Sequence, residues 1–198
     1  TDARRMFVPR APETGAAAAW DDFTNRMGAL GHRILQEDFP SATQGDRAEG
    51  IRHLAHMIVE GLRWEFDHGA SEPTSLMVSN TDSTGWGGPN VDNKYYRARI
   101  DGSSTYTLRG NVDSLYDIAI QTNKGDMHQG KVGASETLDF SRLTVDADGN
   151  FSVTISPEPH AGDWLQQRPE DTLLSIRSYF VDWEVGDAGQ FELVENGR

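Results

Sequence analysis

The segment Trp86-Gly87-Gly88-Pro89-Asn90-Val91-Asp92-Asn93 gathers more chemistry-bearing groups than any other short stretch of the chain. Gly85, Gly87, Gly88 and Pro89 impose an irregular backbone, and Asn90, Asp92 and Asn93 supply carbonyl, carboxylate and amide groups within one loop. Such a loop can hold a polar ligand or an oxygen-ligated cation, with Trp86 and the Tyr95-Tyr96 pair as an aromatic wall. The same Asn and Asp residues also suit a simpler task, bonding their own backbone to lead the chain into a strand.

A second group lies on segments with strand periodicity. Arg99 and Arg177 are placed to grip a carboxylate or sulfate by a two-pronged contact, and Arg97 joins them if no bulge intervenes. Tyr179 follows Arg177 by two residues, so both point to one face, where a phenol beside a cation suits proton transfer. In an enzymatic reading Asp92 is the base, Tyr179 the acid and Arg177 the anion stabiliser. Trp86, Asn90, Asn93, Tyr96, Arg99 and His128 then form the ligand-binding set. The competing reading makes the arginines, with Asp182, solvent-facing members of alternating strands.

The histidines offer no convincing metal centre. His53 and His56 are neighbours on a helix, with His32 and His68 elsewhere in the helical region, but no ligand motif completes a set. His128 and His160 fall in loops, and His128 lies in the polar excursion that starts at Asn123. Asp146-Ala147-Asp148-Gly149-Asn150 lacks the length and the closing Glu of an EF-hand and reads as a hairpin turn. Serine-hydrolase elbows, phosphate-binding loops and dinucleotide fingerprints are missing from the sequence. Neither a metal nor a cofactor is expected.

The elements that must position these groups fall into two regions. Trp20, Phe23, Met27, Leu30 and Ile34 recur at spacings of three and four from Ala16 onward, the stripe of an amphipathic helix that Pro40 ends. Asp46 and Glu49 read as a capping box for a second helix carrying Ile51, Leu54, Ala55, Ile58 and Leu62, running to about Phe66 and stopping near Gly69. From Leu76 the period falls to two. Strands are expected at 95–101, 105–109, 115–120, 143–145, 151–156, 173–181 and 190–194, with looser segments at 122–133 and 157–171. Turn residues at Asp101-Gly102-Ser103, Gly110-Asn111 and Asp148-Gly149-Asn150 make successive hairpins. The expected fold is α+β and mainly β, a helical hairpin over residues 1–72 followed by an antiparallel β-sandwich or jelly roll over 73–198.

Two segments, Trp86 to Asp101 and Gly162-Asp163-Trp164-Leu165 with Leu173 to Trp183, carry a further signal. Together with Arg52-His53-Leu54 and Asp148-Gly149, they resemble the domain of unknown function 1214 family of bacterial proteins from the second helix to Trp183. The resemblance implies a β-sandwich core within a longer polypeptide, this chain then being a fragment, a cleavage product or a compact member. The family pattern has Asn before Trp-Leu where this chain has Asp163, and it provides no agreed catalytic residues.

Composition narrows the partners. The chain of 198 residues carries 31 acidic against 18 basic side chains, a net charge of −13, which argues against nucleic acid and anionic membrane surfaces because both call for clustered cations. No apolar run is long enough to span a bilayer, and Thr1 to Arg10 lacks the apolar core of a signal peptide. The absence of cysteine leaves the compartment open. A soluble, cytoplasmic protein is the favoured reading. The expected partner is a small organic molecule with apolar and polar parts, acted on by a pocket-bearing domain of an enzyme. The alternative is a non-catalytic binding or assembly module whose hairpin docks on a second chain or a second copy.

Overall fold

The computed structural model describes residues 15–36, 43–69, 74–79, 81, 90–125, 130–131, 133–182, 184 and 189–197. Trp86, with Gly85 to Pro89 around it, and His128 lie outside the described residues, as do Pro40 and Trp183. The chain divides into two compact units, Thr1–Ala55 and His56–Arg198.

In the first unit, helix α1 (Gly15–Gln36) meets the opening turns of helix α2 (Gln44–Phe66) as an antiparallel hairpin. The approach is close at Gly50, where an added Cβ would lie 2.6 Å from Ile34 Cγ2. Gly31 likewise sits beside Leu54. The cap of α2 differs from expectation. Thr43 Oγ1 accepts from the Asp46 amide at 3.2 Å and bonds the Asp46 carboxylate, so Thr43 is the cap and Asp46 its partner three residues on. Glu49, one turn further into the helix, pairs instead with Arg52. Among the described residues no helix is long and apolar enough to cross a membrane.

Among its described residues the second unit holds the last turns of α2 and nine strands: β1 (Met77–Ser79), β2 (Asn93–Arg99), β3 (Tyr106–Asn111), β4 (Asp117–Asn123), β5 (Ala134–Asp139), β6 (Asn150–Ser156), β7 (Trp164–Gln166), β8 (Leu173–Tyr179) and β9 (Gln190–Glu195). They form a five-stranded sheet in the order β1-β2-β8-β4-β5 and a four-stranded sheet in the order β7-β6-β3-β9. Alternating side chains of both sheets meet in one apolar core, with Ala98, Ile118, Ile120, Leu138, Leu174 and Ile176 from the first and Leu108, Val153, Ile155, Leu165 and Leu193 from the second. The helical hairpin and the two largely antiparallel sheets therefore match the expected class.

Two local expectations are corrected, and one strand lies where none was expected. Residues 143–145 are not a strand, because the Thr144 amide donates to the Asp163 carboxylate (2.5 Å) rather than to a neighbouring strand. Thr144 Oγ1 donates to the same carboxylate at 2.9 Å, so Asp163 anchors this loop with two acceptors. The segment expected to be loose at 157–171 contains β7, which pairs in parallel with β6 and breaks the all-antiparallel scheme. Polar Ala134–Asp139 forms edge strand β5, where one partner strand suffices.

Candidate functional site

The face of the five-stranded sheet opposite the core is where the chemistry collects. Strand alternation puts Asn93, Tyr95, Arg97 and Arg99 of β2 on that face, and the register sets them beside Tyr179, Arg177, Ser175 and Leu173 of β8 respectively. No bulge interrupts β2 against β8, so the three arginines share one face. On β4, the matching positions are Asp117, Ala119, Gln121 and Asn123.

Arg177 stands directly across from Tyr95, with its guanidinium 5.1 Å from the ring centroid, and its Nη1 donates to Tyr179 Oη at 3.4 Å. Asn93 Nδ2 donates to Tyr95 Oη at 3.4 Å, while Asn93 Oδ1 is buried with no hydrogen-bond partner. Further along the strand, Arg97 and Arg99 each place a guanidinium 4.8 Å from a ring of Trp64, in the last turns of α2. Trp64 is 7% exposed and packs with Met77 and Leu173 in a second, smaller apolar cluster. Arg99 Nη2 also donates to Glu65 at 2.5 Å. Glu60, one turn before Trp64, is buried and lies 3.9 Å from Arg97 Nη2, beyond hydrogen-bond reach.

In an acidic chain this face is a local concentration of cations on aromatic platforms. Stacking on rings holds a guanidinium in place, and at Arg177 the stacked group is exposed, an arrangement that suits a planar anion. Amide and hydroxyl groups of Gln121, Asn123 and Ser175 extend the polar surface, with Asn123 Nδ2 donating to Ser175 Oγ at 2.9 Å.

Of the residues singled out from sequence, Asn93, Arg99, Arg177 and Tyr179 come together here. Asp92 is exposed at the mouth of β2, its carbonyl accepting from the Phe180 amide at 3.0 Å, one residue from Tyr179. Asn90 Oδ1 accepts from the Asp92 amide at 3.0 Å, so this side chain shapes the turn into β2. Tyr96 is on the opposite, core-side face. Its hydroxyl donates to the Gly189 carbonyl, and its ring meets Phe191 edge-on at 4.9 Å, so Tyr95 and Tyr96 do not form one wall. His68 Nδ1 pairs with Ser75 Oγ at 2.8 Å, and His160 is exposed. Among the described residues no group of three His, Asp or Glu side chains is arranged to hold a metal ion.

Sequence reasoning missed Glu60, Trp64 and Glu65. The helical spacing of Glu60 and Trp64 places them on one face of α2, yet only the tertiary structure brings that face to Arg97 and Arg99.

Comparison with known proteins yields structural likeness. No protein-family model matches the chain, and no curated protein is similar to it. The crystal structure of an uncharacterised protein from Burkholderia cenocepacia matches with a TM-score of 0.83 and 26% identity over 92% of this chain and 52% of that one. The chain thus spans about half the length of that relative. The VPA0106 protein from Vibrio parahaemolyticus aligns over 94% of this chain and 46% of its own, at 14% identity and a TM-score of 0.41.

Proposed function

We propose that the outer face of the five-stranded sheet binds a small organic molecule carrying a carboxylate and an apolar body, within an enzyme acting on that molecule. One observation carries the reading: Arg97, Arg99 and Arg177 share a face, each against an aromatic ring, in a chain of net charge −13. Arg177, the exposed member, takes the anionic group, and Tyr95 gives the apolar body a surface. Tyr179, bonded to Arg177, serves as the acid, and Asp92, at the start of the paired strand, as the base. The two sheets around one core are read as a β-sandwich, and the segments around Arg97 and Trp164 support membership of the domain of unknown function 1214 family.

The test is calorimetric titration of the chain with phenylacetate. Arg177→Met and Arg99→Met should each weaken binding by about tenfold, the usual cost of one charge-assisted contact. Unchanged affinity in both variants would remove the basis of the assignment. Once a substrate is identified, a double alanine variant at Asp92 and Arg177 should lose turnover.

A second reading has its own observation. Helix α1 buries none of its residues, and Trp20 at 65% exposure, Phe23 and Leu30 leave an apolar stripe open. That stripe suits docking on another polypeptide. Native mass spectrometry giving a monodisperse monomer at high concentration would count against self-association by this route.

A further inference from the structure

Of the three arginines on this face, Arg97 and Arg99 stack on Trp64 and have Glu60 and Glu65 as acidic neighbours. Arg177 differs. It is exposed, it touches the Tyr95 ring and the Tyr179 hydroxyl, and among the described residues no carboxylate pairs with it. On the side away from Tyr95 the register puts Ala119 of β4 beside Arg177, and Asp139 of edge strand β5 beyond Ala119. Asp117, two residues before Ala119 and on the same face, stands across from Tyr179. Neither acid meets a cation among the described residues. Asp117 Oδ1 accepts from the Ile118 amide at 2.8 Å, and Asp139 Oδ1 accepts from the Ser141 amide and hydroxyl at 3.0 and 2.6 Å. Adjacent strands lie about 4.8 Å apart, so the Cα atoms of Arg177 and Asp139 are separated by roughly 10 Å. The guanidinium leans over Tyr95, which takes it further from both acids. Between them Ala119 ends at Cβ and leaves a low apolar floor on a partly exposed face.

Opposite charges on facing positions of a sheet ordinarily satisfy one another. Here the alanine keeps them apart, so one cation and two acids face solvent at opposite ends of a short apolar stretch. We infer that the ligand of this face is a zwitterion with a carboxylate and an ammonium at opposite ends of an apolar body about as long as a benzene ring. This rests on the anion-binding reading above and names the substrate class within it. The carboxylate sits on Arg177, the apolar body runs from Tyr95 across Ala119, and the ammonium lies between Asp117 and Asp139. Each exposed ion pair contributes little, but two acids on one ammonium add. Asp117 and Asp139 are therefore specificity-determining residues, favouring this class over simple carboxylates.

Two probes of similar shape test it by isothermal titration at low ionic strength: 4-methylphenylacetate, and 4-(aminomethyl)phenylacetate, which adds the ammonium at the far end of the ring. The wild-type chain should bind the second at least about threefold more tightly. A double variant, Asp117→Asn with Asp139→Asn, keeps the oxygens that accept from backbone amides. It should abolish the preference and leave 4-methylphenylacetate binding within about twofold. A control pair, Asp148→Asn with Glu158→Gln, removes two exposed acids outside this sheet and changes the net charge equally. The control should keep the preference, which separates the site from general attraction of a cation to an acidic chain. Equal affinity of the wild type for both probes overturns the inference and leaves the anion site standing. A preference that survives loss of Asp117 and Asp139, or that both double variants lose alike, does the same. Binding of neither probe overturns both readings. The wild-type comparison, with the control pair, decides the matter even if the Asn variant does not fold.

Discussion

Replacement of Trp64 by alanine tests whether the last turns of α2 are held to the sheet by this one side chain. The indole is 7% exposed, shares an apolar cluster with Met77 and Leu173, and receives two guanidinium groups at 4.8 Å. Truncating a buried Trp to Ala costs about 3–5 kcal/mol through lost burial and the cavity left behind. The two cation–π contacts account for roughly 1–2 kcal/mol together, since both arginines are partly desolvated. Trp64→Ala should therefore lose about 4–7 kcal/mol, whereas Trp64→Phe, which keeps an aromatic face, should lose about 1–2 kcal/mol. Urea unfolding followed by circular dichroism reads the difference. With a slope of about 2 kcal/mol per molar urea, the alanine midpoint falls by roughly 2–3.5 M and the phenylalanine midpoint by no more than about 1 M. An alanine variant within about 1 kcal/mol of the parent would refute the reasoning, because a buried indole with these neighbours cannot be removed so cheaply.

Other perturbations probe the scaffold. Gly102→Ala places a Cβ 2.0 Å from the Arg168 carbonyl oxygen, so backbone must move; a loss of about 2–3 kcal/mol is expected by calorimetry, and an unchanged melting temperature would show that the 101–104 turn yields freely. Asp171 is fully buried, accepting from the Arg168 amide at 2.8 Å and from Ser135 Oγ. Asp171→Ala should cost about 3 kcal/mol and Ser135→Ala about 1 kcal/mol, and equal losses would deny the amide contact its role. Burial raises the Tyr106 phenol above its ordinary 10.0, against the lowering effect of the Asp101 amide that donates to it at 2.7 Å. Its contribution is fully present below the unfolded value and lost as pH rises through the folded one, so Tyr106→Phe should flatten the stability profile above about pH 10. The Asn150 amide lowers the exposed Asp146 carboxyl below 3.8. Its effect is present above that value and lost as pH falls, and a carboxyl NMR titration should find the midpoint shifted downward.

What could be read from the residues in order were features set by near neighbours. Spacings of three and four made α1 and α2 visible, and alternation exposed β2, β6 and β8 because a strand's two faces meet different surroundings. The same period put Arg177 and Tyr179 on one face before any sheet was known, and the observed bond between them follows from it. The Asp146 to Asn150 turn was equally local, with Gly149 at φ +82° and the Asp146 carboxylate accepting from Asn150. Edge strand β5, with no apolar alternation, and the three-residue β7 drew their existence from partners distant in sequence. Residues 143–145 failed as a strand for the converse reason, since Asp163, 19 residues away, took the Thr144 amide. Alternation already set Tyr95 and Tyr96 on opposite faces, whereas tertiary structure alone decided which of those faces meets the core and that Glu60 and Trp64 of α2 meet Arg97 and Arg99 of β2. Periodicity tells which residues share a face, but the identity of the facing surface depends on how helix and sheet pack, and that is a property of the whole chain.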